Sequence, residues 1–349
     1  MASSAIVGAA ALVASPAAAQ ELEVSGFQQF FASGGDADFD GSDRGFGFST
    51  NTEIHFNGSI MADNGVTFGF RVELEADSGS TNVDENSIWA SGGFGKLEFG
   101  NNDGAEDTFA VNGSNSGVDY GGVGNPTATF LTSAYLGPRT SVDFRGGLDT
   151  SDATKITYTT PSFSGFSVGV SYTPDTNCST DTGTSGGFCD AHSDGFHDNI
   201  GAGIAYEGDF DGFGLEASII GAYAKADGEP EDNAYGIGGG LAVSFGGFTI
   251  ASGIVWDDFD DGDAGGQTGE GYAADLGIGY VAGPWNFSIN GIYADTDDID
   301  HELLAGSANI GYNLTAGVTV FVTGFVGSEE VGNDDNDIVA VTSGLKLAF

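Results

Sequence analysis

The sequence predicts an all-β protein, a 16-stranded antiparallel transmembrane β-barrel with a long inner constriction loop. Three observations point there. Apolar and polar residues alternate with period two along most of the chain, and no sustained 3.6-residue apolar period appears after residue 20. Short turns rich in Gly, Asn, Asp or Pro also alternate with long acidic connections.

The elements follow in chain order. Residues 1–19 (MASSAIVGAAALVASPAAA) form a short apolar run ending in Ala17-Ala18-Ala19, which is expected to be a signal peptide cleaved before Gln20. An N-terminal buried helix is the competing reading. Beyond it no window reaches the roughly 20 apolar residues of a membrane helix, so a mature chain of residues 20–349 that spans a membrane must do so as a closed barrel. Strands are expected to begin near residues 22, 45, 65, 84, 95, 153, 165, 198, 212, 233, 247, 270, 285, 301, 317 and 336. In GVTFGFRVELEAD, Phe68, Phe70, Val72 and Leu74 share one face, and Arg71, Glu73 and Glu75 the other. Similar alternation runs through Ile54 to Asn57, Lys96 to Phe99, Phe213 to Ile219 and Phe287 to Tyr293. MADNG, GGFG, PSFSG, EGDFDG, FGG, AGPW and NLTAG read as tight turns at one rim. SGGDADFDGSDR, DDFDDGDAGGQTGE, DTDDIDHE and SEEVGNDDND read as long acidic loops at the other. Tyrosines and tryptophans near strand ends, among them Tyr172, Tyr223, Tyr280, Tyr312 and Trp285, fit interfacial girdles, although aromatics favour strands in any case.

Charge narrows the function. With 51 acidic and 8 basic residues the chain carries −43, which excludes nucleic acid as a partner because phosphate binding needs clustered Lys and Arg. Such charge opposes compaction unless it is spread over loops or faces a wet cavity. Cys178 and Cys189 stand in a polar loop, where an oxidising compartment favours one stapling disulfide. Zinc ligation with His192 and His197, or two free thiols, are the alternatives. DADFDGSD imitates the start of a Ca²⁺ loop, but Gly47 stands where an EF-hand needs Glu. A surface Ca²⁺ or Mg²⁺ on Asp36, Asp38 and Asp40, or on the cluster from Asp257 to Asp263, competes with a plain solvated acidic loop. No cofactor is required. The four histidines are scattered and no nucleophile motif occurs, so no enzyme is expected.

The longest connection, from about Asn101 to Asp152, has the size of a functional loop and would narrow the lumen if folded inward. At this point three segments carry a resemblance. FGKLEFGNNDGAEDTF (94–109), KITYTTPSFSGFSVGVSY (155–172) and the terminal GLKLAF resemble the Gram-negative general diffusion porins, most closely those of alphaproteobacteria. The resemblance implies a homotrimeric barrel in the bacterial outer membrane, exported through the periplasm, whose third loop forms an eyelet for small hydrophilic solutes and ions. It implies acidic eyelet residues at Glu106, Asp107 and Asp119, and basic ones among Arg71, Lys96, Arg139, Arg145 and Lys155. It also implies that Phe349 is read by the barrel assembly machinery, and that divalent ions bridge the acidic loops to lipopolysaccharide. The acid excess predicts cation preference. A secreted Ca²⁺-binding β-rich adhesin or solenoid is the other reading, but no nonapeptide repeat recurs.

Overall fold

Sixteen antiparallel strands pair in sequence order into one closed sheet, and the first strand meets the last. The structure is a computed structural model. It describes residues 20–37, 45–75, 83–117, 141–176, 178, 195–226, 232–259, 269–297 and 300–349. The strands are β1 (Gln20–Ala37), β2 (Phe46–Met61), β3 (Thr67–Glu75), β4 (Asn86–Gly92), β5 (Gly95–Asn101), β6 (Thr154–Thr159), β7 (Phe166–Asp175) and β8 (Phe196–Phe210). They continue as β9 (Phe213–Ala226), β10 (Asp232–Phe245), β11 (Phe248–Phe259), β12 (Gly269–Ala282), β13 (Trp285–Thr296), β14 (His301–Thr315), β15 (Val318–Val331) and β16 (Asp334–Ala348). One helical turn, α1 (Ala105–Thr108), and one 3₁₀ turn (Gly113–Ser116) lie in the connection after β5.

Local chemistry explains the hairpins. In the turn after β2, Gly65 takes a positive φ of 81°, and its N–H donates to Ala62 O at 2.9 Å while Ala62 N–H donates to Val66 O at 2.8 Å. Closure runs from Phe27 opposite Ala348 to Ala37 opposite Ile338. Phe349 extends it: its N–H donates to Gly26 O at 3.1 Å and its C=O accepts from Gly26 N–H at 3.0 Å. No edge strand is left to seek a partner.

Two acidic connections are shorter than the sequence suggested. SEEVGNDDND is a hairpin, with Val331 opposite Asp334 and Gly332 at φ 63°. In DTDDIDHE the strands run to Thr296 and resume at His301. Cross-strand pairing carries both segments: Glu329 lies opposite Asn336, and both side chains are fully buried on the inner face.

The alternation sorts the wall into two surfaces. Leu22, Phe46, Phe48, Phe68, Ile88, Ile289 and Val341 are exposed on the outside, a surface only lipid or another protein would tolerate. The inner face on the β8–β15 side is covered, with Ala224, Val255, Phe259, Ala273, Ala294 and Leu303 buried against Val142, Phe144 and Leu148 of the incoming connection. The core of this barrel therefore lies off-centre inside its lumen.

Candidate pore constriction

The connection between β5 and β6 enters the barrel and lies on the inner wall, α1 against β6–β9 and the 3₁₀ turn against β10–β13. Glycine on the wall makes the seat. A Cβ at Gly201 would collide with the Glu106 carboxylate, at Gly169 or Gly203 with the Phe109 ring, at Gly240 with Val111 O, and at Gly277 with Gly113 O. Only a wall without side chains there lets the loop backbone approach so closely.

Polar anchors fix the loop to that seat. Glu106 is buried and accepts from Thr150 Oγ1 at 2.6 Å and Ser171 Oγ at 3.0 Å; Ser171 Oγ in turn accepts from Ala105 N–H at 3.0 Å. The Asp275 carboxylate accepts from Gly113 N–H and Gly253 N–H, each at 2.7 Å. Asn112 caps the 3₁₀ turn, its Oδ1 accepting from Ser114 N–H at 3.1 Å. On the return, Arg145 Nε donates to Asp257 Oδ1 at 2.7 Å, its Nη2 donates to Gly269 O at 2.6 Å, and its guanidinium carbon sits 4.6 Å from the Phe259 ring centre. Asn199 Nδ2 donates to Gly147 O at 2.6 Å, and the buried Lys155 ammonium donates to Asn102 O and Ser151 O.

Opposite the seated loop, the inner faces of β2–β5 stay half-exposed and charged. Arg71 pairs with Glu73 and lies 3.9 Å from Glu85, Lys96 Nζ lies 2.5 Å from Glu98, and His55 Nε2 lies 2.9 Å from Glu53. A cavity of about 430 Å³ runs between this wall and the loop, lined by Arg71, Glu85, Trp89, Lys96, Glu98 and Asp103 among others. Acids outnumber bases here, and burial makes three acids near the wall and the loop hold protons. Burial raises Asp84 to about 7, with Asp152, Glu75, Glu53 and Glu73 adding repulsion. Burial, Asp103, Glu73 and Asp152 raise Glu85 to about 9. Burial and the carboxylates of Asp103, Asp149, Asp143 and Glu106 raise Asp107 to about 8.

The expected eyelet residues thus fall into groups. Arg71 and Lys96 border the open side, and Asp107 lies half-buried on α1 of the loop. Glu106, Arg145 and Lys155 are buried between loop and wall, where they hold the loop instead of facing solutes. Bases and acids interleave on one wall instead of facing each other across the channel, because the loop that brings the acids in also buries two of the bases. Asp119 and Arg139 lie outside the described residues, as do Asp38, Asp40 and Cys189. Asp36 is exposed at the end of β1, and Cys178 is disulfide-bonded. Asp257 is taken up by Arg145, which removes it from the acidic cluster expected to meet solvent cations. Among the described residues, the groups that converge within 4.8 Å are Glu53, Glu75 and Asp84, then Glu53 and Glu73 with His55, and separately Glu85, Asp103 and Asp152. Phe349 points outward, 69% exposed. Trp89 was not anticipated, although its inward parity between Ser87 and Ser91 was readable in the sequence.

The Gram-negative porin family model matches residues 2–335. None of the curated proteins matches the chain significantly. Among solved structures, an anion-selective porin from Comamonas acidovorans superposes with TM-score 0.68 at 17% identity, covering 95% of this chain and 100% of that one. The in-vitro folded, trimeric OmpT of Vibrio cholerae gives 0.63 at 12% identity, covering 95% and 100%. A mutant of the Rh. blastica porin gives 0.58 at 20% identity, covering 94% and 100%. At these identities the likeness is one of fold.

Proposed function

This chain belongs to the Gram-negative porin family and is thus an outer-membrane diffusion channel, and we propose that it passes small hydrophilic solutes with a preference for cations. The observation that carries the preference is the acid excess along the open wall. Glu53, Glu73, Glu75 and Glu98 share this wall with Arg71 and Lys96, both bases are already paired with acids of the same wall, and Glu85 and Asp103, whose protons burial retains, add negative charge only as pH rises. Fixed carboxylates around a narrow aqueous path raise the local cation concentration. Arg71, Lys96, Asp107, Glu85 and Asp103 form the charged border of the constriction, while Glu106, Arg145 and Lys155 keep its shape. Reversal potentials of single channels in a KCl gradient test this: a potential of cationic sign is expected, and zero or the anionic sign would reject the preference.

The functional unit is a homotrimer. Tyrosines with hydroxyls tied to acids or amides near one rim (Tyr172 to Asp198 at 2.7 Å, Tyr223 to Asn233 at 2.6 Å, Tyr235 to Asp258 at 2.8 Å) mark a lipid interface on β7–β11. Among the described residues the outer faces of β1–β5 and β16 carry no Tyr or Trp; Leu22, Phe46, Phe48, Phe68 and Ile88 dominate, with Thr50, Thr52 and Ser343 between them. An apolar arc without an interfacial belt suits protein neighbours better than lipid headgroups. Residues 1–19 serve export through the periplasm, and Phe349 serves recognition by the assembly machinery. Divalent cations gather at the acidic loop face and link it to lipopolysaccharide.

A further inference from the structure

We propose that Trp89 and the cavity beside it form a binding subsite for neutral, ring-shaped, polyhydroxylated solutes, the pyranose sugars. The inference rests on the pore reading above and asks which solutes the pore holds as they pass.

Trp89 is the feature that a purely electrostatic eyelet leaves unexplained. It sits on the inner face of β4, opposite Gly69 of β3 and Glu98 of β5. A Cβ at Gly69 would collide with the Cζ2 and Cε2 atoms of the indole, so the ring leans across a gap in the wall that only glycine leaves open. Phe31, Phe196, Phe259, Phe321 and Phe325 on the inner face are buried and Phe27 is covered by Lys346 Nζ at 4.9 Å, whereas Trp89 remains half-exposed and lines the cavity. A buried aromatic fills space. A half-exposed one laid along a channel wall offers an apolar plate to whatever passes.

Around that plate stand two bases, Arg71 and Lys96, and three acids, Glu85, Glu98 and Asp103. Lys96 Nζ lies 5.8 Å from the indole ring centre and 2.5 Å from Glu98, while Arg71 lies 3.9 Å from Glu85 on the other flank. Asn57, Ser91, Asn102 and Thr108 add neutral donors and acceptors to the lining beside Asp103. A hydroxyl can accept from the base and donate to the acid of one pair. A pyranose combines a face of C–H bonds, suited to the indole, with a rim of hydroxyls suited to the pairs. The cavity of about 430 Å³ falls within the roughly 300–1,000 Å³ of small-molecule sites.

The test is ion current through the purified full-length protein in planar bilayers of fixed KCl, titrated with glucose and, in parallel, with the open-chain hexitol sorbitol. Glucose should reduce the wild-type current saturably beyond the sorbitol effect. Trp89→Ala should weaken the apparent glucose affinity roughly two- to tenfold while KCl steps persist, and Trp89→Phe should recover most of it. Equal effects of glucose and sorbitol, or an unchanged Trp89→Ala titration, would overturn the subsite while leaving the pore reading intact. Saturable block by choline but not by glucose would overturn it in favour of a cation site. Loss of KCl steps in the wild type would remove the pore reading itself and the subsite with it.

Discussion

Removing the side chain of Arg145 tests whether the inner loop is held by charge. The guanidinium and its partner Asp257 are 1% and 0% exposed, joined at 2.7 Å, with a second bond from Arg145 N–H to Asp257 Oδ2 at 3.1 Å and the Phe259 ring against the cation. Arg145→Ala leaves Asp257 without its counter-charge in a site closed to water. Breaking a buried pair from one side costs about 3–5 kcal/mol, a shift of roughly two to four powers of ten toward states in which the returning loop has left the wall or Asp257 is neutral. Exchanging both partners, Arg145→Met with Asp257→Leu, removes attraction and desolvation together and should come within about 1 kcal/mol of the parent. Urea titration in lipid vesicles followed by tryptophan emission reads the first quantity. Single-channel recording reads the second, because a loosened loop should give larger and noisier steps. The reasoning fails if Arg145→Ala unfolds within about 0.5 kcal/mol of wild type, or if the double variant is as unstable as the single one.

Four further outcomes follow from the same geometry. Cation preference should grow as pH rises from about 5 to 9, since Asp84, Asp107 and Glu85 have values near 7, 8 and 9 and gain charge only in that window; a flat reversal potential across it would exclude them from the solute path. The same upward shifts mean that the folded state binds more protons than the unfolded one, so their contribution to stability declines as pH rises through that window. Glu106→Gln should destabilise the protein by about 1–3 kcal/mol, because an amide NH₂ replaces an acceptor of the Thr150 and Ser171 hydroxyls, while selectivity changes little; a large selectivity change with unaltered stability would put Glu106 back on the solute path. Deleting Phe349 removes both bonds to Gly26 and the outward ring, and should lower the yield of assembled barrel more than the conductance of what assembles; normal yield by heat-modifiable gel mobility would contradict that role.

Strand positions were largely legible, because a half-buried wall writes itself in local alternation. The expected starts near 95, 285 and 301 coincide with Gly95, Trp285 and His301, and those near 65 and 336 fall within two residues of Thr67 and Asp334. The error at SEEVGNDDND has a physical source. Acidic residues look like loop when read alone, yet Glu329 has a partner across the sheet in His301, 3.0 Å away and 28 positions earlier. The constriction was legible only as composition. That Arg145 is an anchor depends on Asp257, 112 residues on, and that Glu106 is one depends on Thr150 and Ser171. No local pattern carries such distances. Trp89 differs, for its inward parity was present in the SIWAS alternation of Ser87, Trp89 and Ser91, and an aromatic on a wet face is itself a signal.

The glycine seat beneath the loop has a consequence for how the opening is sized. Because Gly201, Gly203, Gly240, Gly253 and Gly277 let the loop lie flush with the far wall, the water path is pushed to one side and runs along β2–β5. Bore and charge are thereby governed by different residues. A methyl group added at Gly203, Gly240 or Gly277 would thrust the loop across the lumen like a shim behind a door jamb, tightening the passage without replacing a single carboxylate, whereas changes on β2–β5 would retune the electrostatics of a gap whose width stayed the same. Such a channel can alter what size it admits and what charge it favours by independent steps.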